Sequence, residues 1–446
     1  MIVHEGQLLR QVNTIYAEHY DLLMSSGLYE ELVTKRFLIP HREVEDSPLM
    51  QLGVHRILAP EVLPFIAYPY EWSFSQLKDA ARVTLSVQKL ALKAGMTLKD
   101  SSAYNIQFVD SRPMLIDTLS FEKYEEGKPW VAYRQFCQHF LAPLALMSHR
   151  DVRLGLMLRD FIDGIPLDLA SGLLPMQTRL NFGLLTHIHL HASTQKRYEN
   201  KPAAERRQAA QTGRVSKQAL LGLIENLQAT IRKLDWKPDQ TAWANYTRGD
   251  SYSDAGTDHK KTLVLEFLAE TGAKRAVDLG GNTGMYSRIA SQQGIYTLST
   301  DFDQGAVEIN YRNAVKEKAQ NLLPLVIDLT NPSPAIGWNN AERDSFVDRC
   351  KVDCVMALAL IHHLAISNNV PLLNVAQFMA QLGEWLIIEF VPKSDPKVET
   401  LLASREDIFP DYMREGFERA FGEVYTMVRS ERITESERVL YLMRRK

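Results

Sequence analysis

The stretch from Arg275 to Asp303 sets two carboxylates on either side of a glycine-rich turn. Asp278 closes one short apolar run, Gly280, Gly281, Asn282 and Gly284 follow it, and Asp301 closes a second strand-like run, with Asp303 just beyond its end. An acid after the second run is placed to accept hydrogen bonds from both ribose hydroxyls of an adenosine. The glycines let the backbone turn sharply and let a ligand approach where a Cβ would collide. Two further sets carry chemistry. His362 and His363 are adjacent imidazoles that titrate near neutrality and can take a proton from a reacting group. Asp100, Asn105 and Asp117 are two acids and an amide set around two short strands.

For the first set to act, the chain must form a strand at Ala276 to Leu279, a turn at Gly280 to Gly284, a helix at Met285 to Gln293 and a strand at Tyr296 to Thr300. This is the opening unit of a nucleotide-binding α/β sheet. The glycine spacing does not fit the G-x-G-x-x-G that holds a dinucleotide pyrophosphate. The run D-L-G-G-N-T-G instead resembles motif I of the class I S-adenosylmethionine-dependent methyltransferases, D/E-x-G-x-G-x-G. Asp278, Gly280 and Gly284 match it, and Asn282 takes the middle-glycine position. Asn is the side chain that best tolerates the positive φ expected there. Taken alone, the run also reads as an ordinary strand-to-turn sequence.

The elements that follow extend the resemblance over residues 241–446. Leu322 to Ile327 reads as a third strand ending at Asp328, Asp353 to Leu360 as a buried fourth and Trp385 to Val391 as a fifth. Glu423 to Arg429 and Arg438 to Met443 read as a closing hairpin. The resemblance implies a Rossmann-like α/β sheet of seven strands, six parallel and one antiparallel, with S-adenosyl-L-methionine as cofactor. Carried over, it implies cofactor contacts from Asp278, Gly280, Gly281, Asn282, Gly284, Asp301, Asp303, Asp328 and Leu329. Tyr252 and Lys260 are candidates for a lid, and Trp243 and Tyr246 belong to the same aromatic segment. His362 or His363, at the end of the fourth strand where acceptors enter, is the candidate base. The alternative is one histidine buried and hydrogen-bonded and the other exposed.

Residues 1–192 are expected to form an α+β domain. A helix from Ser75 to Gly95 precedes Asp100, Asn105 and Asp117, with a D-S-R-P turn between two short strands. The layout resembles the catalytic loop and metal-binding acid of the protein-kinase and aminoglycoside-phosphotransferase superfamily. The resemblance implies Asp100 as base and Asn105 and Asp117 as magnesium ligands. Leu98 stands where that family has His, and neither a glycine-rich phosphate loop nor a matching strand lysine precedes it. A kinase-like shape without kinase chemistry is the expectation. Earlier in the domain, Gly53 to Leu58 and Val62 to Ala67 read as strands. Residues 193–240 read as a polar linker followed by a connecting helix at Lys217 to Leu234.

Over 446 residues, 45% are hydrophobic and 24% charged, and the net charge of −3 provides no field that would draw the chain to nucleic acid or an anionic membrane. The N/D-P-P-Y/F signature of base-amine methylation is also missing. The three cysteines, Cys137, Cys350 and Cys354, form no C-x-x-C pair. His187, His189 and His191 could suggest a metal cluster, yet only His187 and His191 share a helix face and no acid or Cys lies nearby, so no metal site is expected. No run has the signature of a signal peptide or reaches the roughly 18 apolar residues of a membrane span. The reading is a cytoplasmic two-domain methyltransferase acting on a small-molecule hydroxyl or carboxyl. Its rivals are an RNA or protein methyltransferase with an N-terminal docking domain, a bifunctional methyltransferase/phosphotransferase and a non-enzymatic scaffold.

Overall fold

In the computed structural model, described over residues 2–45, 49–50, 52–191, 214–238, 252–403 and 406–446, the chain divides into two units. The first comprises residues 1–70, 74–108 and 112–236, and the second residues 71–73, 109–111 and 237–446. Trp243, Tyr246 and most of the polar stretch 193–216 lie outside the described residues.

The first unit opens with a four-stranded antiparallel sheet of β1 (Ile2–His4), β2 (Gln7–Asn13), β3 (His41–Glu43) and β4 (Val54–Pro60), in the order β1-β2-β4-β3. The strand expected at Val62 to Ala67 is not formed, since Pro64 withholds a ladder donor there. Helix α1 (Phe74–Lys93) buries Leu77, Ala80, Ala81, Leu85 and Leu92, and Gly95 at φ +75° follows its end. Next come β5 (Met96–Leu98), β6 (Ile106–Val109), β7 (Arg112–Leu115) and β8 (Phe121–Lys123), with β5 paired to β8 and β6 to β7. The helix and the two short strands around the D-S-R-P turn are present, and β8 follows them.

Within that layout Asp100 braces its own turn, and Asn105 and Asp117 are joined through Ser120. Asp100 Oδ1 accepts from Ser102 N at 3.0 Å and Gln135 Nε2 at 2.9 Å. Asn105 Nδ2 donates to Ser120 Oγ at 3.3 Å, and Ser120 Oγ donates to Asp117 Oδ2 at 2.8 Å. Arg10 Nη2 sits 2.8 Å from Asp117 Oδ1, so a fixed cation stands where the resemblance implies magnesium. Phosphoryl transfer rests on neutralising the triphosphate, and this arrangement spends the acid on the fold. Asp117→Ala is expected to lower the unfolding free energy by about 1–3 kcal/mol through the donors it orphans, checked by urea titration. Labelled ATP with magnesium should give no product that Asp100→Asn removes.

His187 bonds Tyr133 Oη at 2.7 Å and Asn226 Oδ1 at 2.8 Å, and His189 bonds Ser171 and Thr178, so both are held in protein hydrogen bonds. Helix α2 (Lys217–Lys233), expected to connect two domains, packs within the first unit against α1. Lys89 pairs with its Glu225 at 2.8 Å, and Leu220, Ile224, Leu227 and Ile231 form its buried stripe.

In the second unit, α3 (Asp254–Thr271) leads into β9 (Arg275–Leu279), α4 (Met285–Gln292), β10 (Tyr296–Asp301), α5 (Gln304–Glu317) and β11 (Leu322–Val326). The strands β12 (Val352–Ala357), β13 (Gly383–Phe390), β14 (Tyr425–Arg432) and β15 (Val439–Arg445) complete one sheet in the order β11-β10-β9-β12-β13-β15-β14. Only β15 runs antiparallel to its neighbours, as expected. Leu386, Ile387 and Ile388 of β13 and Cys354, Val355 and Met356 of β12 are fully buried, the pattern of strands covered on both faces. The first strand, β9, lies mid-sheet between β10 and β12. The chain order reverses there, and its carboxyl end is the crevice where open α/β sheets bind ligands. This is the class I methyltransferase fold.

Candidate cofactor and acceptor site

A cleft of about 440 Å³ opens at that crevice, lined by residues that follow β9, β10, β11 and β12. After β9, Gly280 adopts φ +71°, and a Cβ there would meet Leu360 Cδ1 at 3.0 Å. Asn282 adopts φ +49°, the conformation expected of the middle-glycine position. At Gly281 an added Cβ would lie 2.7 Å from Ser299 Oγ, and at Gly284, at φ +83°, 2.3 Å from Asn310 Oδ1. The turn is thus packed against its own sheet and helix as well as open to the cleft. Asn310, buried on α5 and donating to Ser299 Oγ at 2.9 Å, is a support that sequence reasoning missed.

Both principal acids are buried. Asp278 accepts from Ser287 Oγ at 2.6 Å, and burial pushes its pKa up to about 7. Asp301 accepts from Asn282 N and Asp303 N, each at 2.9 Å, and burial raises it to about 6. Its backbone bonds tie the glycine turn to the end of β10. Asp328 and Leu329, after β11, also line the cleft, and Phe302 is an exposed aromatic ring beside Asp301 that sequence reasoning did not single out.

Three expected residues do not line the cleft, the first being Gly284, which packs on Asn310. Asp303 does not line the cleft; it is the N-cap of α5, with Oδ1 accepting from Gly305 N at 2.8 Å and Ala306 N at 2.9 Å. Short acids one residue apart compete for the ligand, and the second is consumed by the helix start. His362 is fully buried with neither ring nitrogen hydrogen-bonded among the described residues, and does not line the cleft, whereas His363 does. Their rings lie 4.1 Å apart. Burial, reinforced by Arg438, lowers His363 to about 4, and burial lowers His362 well below the usual histidine range.

Beyond β12 the cleft wall rests on Glu389, a fully buried carboxylate within the apolar run Trp385 to Phe390 of β13. Lys260 Nζ donates to Oε2 at 2.5 Å, Ala359 N to Oε2 at 2.9 Å, Arg438 Nη1 to Oε1 at 3.3 Å, and Tyr252 Oη also to Oε1. Tyr252 and Lys260, read as lid candidates, are fastened to the sheet by this one side chain. Ala359 stands at φ +51°, costly for a residue with a Cβ, and its N–H bond to Glu389 holds it there.

S-adenosylmethionine fits this cleft on two observations: a turn at which added Cβ atoms would collide, and a buried carboxylate at the end of β10 with a second acid after β11. No family model matches the chain. It is 35% identical over 447 residues to nodulation protein NoeA of Rhizobium meliloti (strain 1021), covering 99% of this chain and 93% of that protein. The chain belongs to the NoeA family. Solved methyltransferases resemble it more remotely. Magnesium protoporphyrin IX methyltransferase from Synechocystis PCC 6803, with bound SAM, is 16% identical over 46% of this chain and 92% of its own, with a TM-score of 0.32. N-methyltransferase NodS from Bradyrhizobium japonicum WM9 is 11% identical over 43% of this chain and 98% of its own, with a TM-score of 0.33. In this NoeA-family chain the fold is fixed by its own strand order.

The raised acids set a pH dependence with a definite sign. A carboxyl whose folded pKa exceeds its unfolded value holds extra protons in the native state, so stability falls as pH rises from about 4 through the folded pKa. Ligand-free protein should therefore lose stability between pH 4 and 7 on account of Asp278 and Asp301. Cofactor affinity should run the other way, rising through about pH 6 as Asp301 becomes a full acceptor for two hydroxyls. Thermal melts with and without S-adenosylhomocysteine over that range test both signs, and Asp301→Asn should flatten the ligand-dependent part.

Proposed function

We propose that the chain is a cytoplasmic methyltransferase that uses S-adenosylmethionine to methylate a hydroxyl or carboxyl oxygen of a small molecule. The observation that carries the reading is Asp301: a buried carboxylate at the end of β10, oriented by Asn282 N, at the reversal point of a class I sheet. When bound, the cofactor supplies an electrophilic methyl group on a sulfonium. Asp301 would hold the ribose, Asp328 and Leu329 the adenine side, and Asp278 with the glycine turn the amino-acid side. The protein's remaining task is to position the acceptor oxygen and exclude water.

His363 follows β12 into the cleft together with Ser367 and Asn368, and as a neutral imidazole it can orient an acceptor oxygen, or take its proton against the burial and the Arg438 charge that disfavour its cation. We assign this role to His363 alone, since His362 is enclosed. The N-terminal unit is read as a kinase-shaped domain that recognises or presents the acceptor, with Asp117 committed to Arg10. The NoeA relative's name places it in nodulation, and we infer the same setting here.

The test is to incubate the full chain with methyl-labelled S-adenosylmethionine and metabolite extract, then identify the labelled product. Label in a small molecule supports the reading. Label retained only on RNA or protein replaces it with the docking-domain alternative.

A further inference from the structure

Arg438, at the turn into β15, has five N–H donors in a planar fork, and the structure accounts for those on two of its three nitrogens. Nε donates to Asp395 Oδ2 at 2.7 Å, and Nη1 to Glu389 Oε1 at 3.3 Å and Tyr252 Oη at 3.1 Å. Nη2 is buried and has no hydrogen-bond partner among the described residues, and Arg438, its side chain 2% exposed, lines the cleft. An unpaired buried guanidinium donor is costly. Neither nearby carboxylate accepts from it, and both are engaged by other donors. Glu389 already accepts from four donors, and Asp395 Oδ1 caps the helix that starts at Pro396 by accepting from Lys397 N at 2.9 Å.

Position decides which end of the cleft this donor serves. Asp301 is on β10 and Arg438 precedes β15, four strand spacings away across β9, β12 and β13. At about 4.8 Å per strand that is roughly 19 Å. Arg438 therefore lies past β12, on the side opposite the adenosine-binding acids, with His363 and Lys260 as neighbours in the cleft wall. A cation with an unfilled donor among neutral histidines suits an anion better than a neutral oxygen, because a charge-assisted bond is about twice as strong.

We propose that Arg438 Nη2, steadied by Glu389 and Asp395, is a carboxylate-binding subsite, and that the acceptor carries a carboxylate group which docks there. The inference rests on the methyltransferase reading. Glu389 is a positioning residue in it: it orients the fork and holds the Ala359 turn, and touches no ligand.

The experiment uses the full chain saturated with S-adenosylhomocysteine and titrated with acetate, then with acetamide as the neutral isostere, followed by NMR. Acetate is expected to bind at least 10-fold more tightly than acetamide. Arg438→Lys, which keeps the charge beside Glu389 and Asp395 but loses the fork, should weaken acetate at least 10-fold and leave S-adenosylhomocysteine within about 3-fold. Equal binding of acetate and acetamide by the wild-type chain overturns the proposal without recourse to any variant. So does a 10-fold loss of S-adenosylhomocysteine in Arg438→Lys with 5′-methylthioadenosine, which lacks the carboxylate, unaffected: the fork would then serve the cofactor. If the wild-type chain fails to bind S-adenosylhomocysteine in the first step, the methyltransferase reading itself falls.

Discussion

Asp301→Ala is expected to weaken S-adenosylhomocysteine binding by about 10- to 150-fold, the loss of roughly 1.5–3 kcal/mol in hydrogen bonds to a charged group. The side chain acts twice, as the ribose acceptor and as the anchor of Asn282 N at 2.9 Å, so its removal also loosens the glycine turn. The neighbouring acid provides the contrast. Asp303→Ala removes the cap of α5 and should cost about 0.5–2 kcal/mol of stability, with cofactor affinity nearly unchanged. Calorimetric titration of both variants beside thermal melts separates the two roles. Equal affinity losses would mean that the carboxylates share the ligand.

The largest stability effect is expected from Glu389→Ala. Its carboxylate is fully buried and accepts from Lys260, Arg438, Tyr252 and the Ala359 backbone. Removing one partner of a buried ion pair leaves uncompensated charge and typically costs about 3–5 kcal/mol. Lys260, which is 2% exposed, would have to take up water or lose its proton. Glu389→Gln keeps the shape and one acceptor, and should cost less. Denaturant melts of both variants read this directly, and a loss near zero for Glu389→Ala would show that the cluster does not hold the cleft wall.

Much of the site was legible because its signals are local. The run from Arg275 to Asp301 lies in one stretch, so strand, turn, helix and strand could be read from apolar runs and glycine spacing, and the positive φ of Asn282 followed from the motif position. The seven-stranded sheet was legible for a related reason: β11, β12 and β13 are built on short apolar runs. Contacts made across long sequence separations were not. Lys260, Glu389 and Arg438 meet only in the folded sheet, and the one outward sign was a lone charge in the run WLIIEF. The distinction between His362 and His363 depends on which side of one turn faces the cleft, and two adjacent residues of one type carry no such information. Asp303 was readable in principle, since an acid directly before a helix start is a cap signal, but the tandem acids invited assignment of both to the ligand. In the N-terminal unit, Arg10 pairs with Asp117 across more than a hundred residues, which no local pattern encodes.

Titration calorimetry of the purified chain with S-adenosylhomocysteine, run in parallel on Asp301→Ala and Asp303→Ala, tests the central claim most directly. One saturable site per chain, weakened at least 10-fold by the first substitution and less than about 3-fold by the second, is the expected result. Absence of binding by the wild-type chain, or binding indifferent to Asp301, would contradict it.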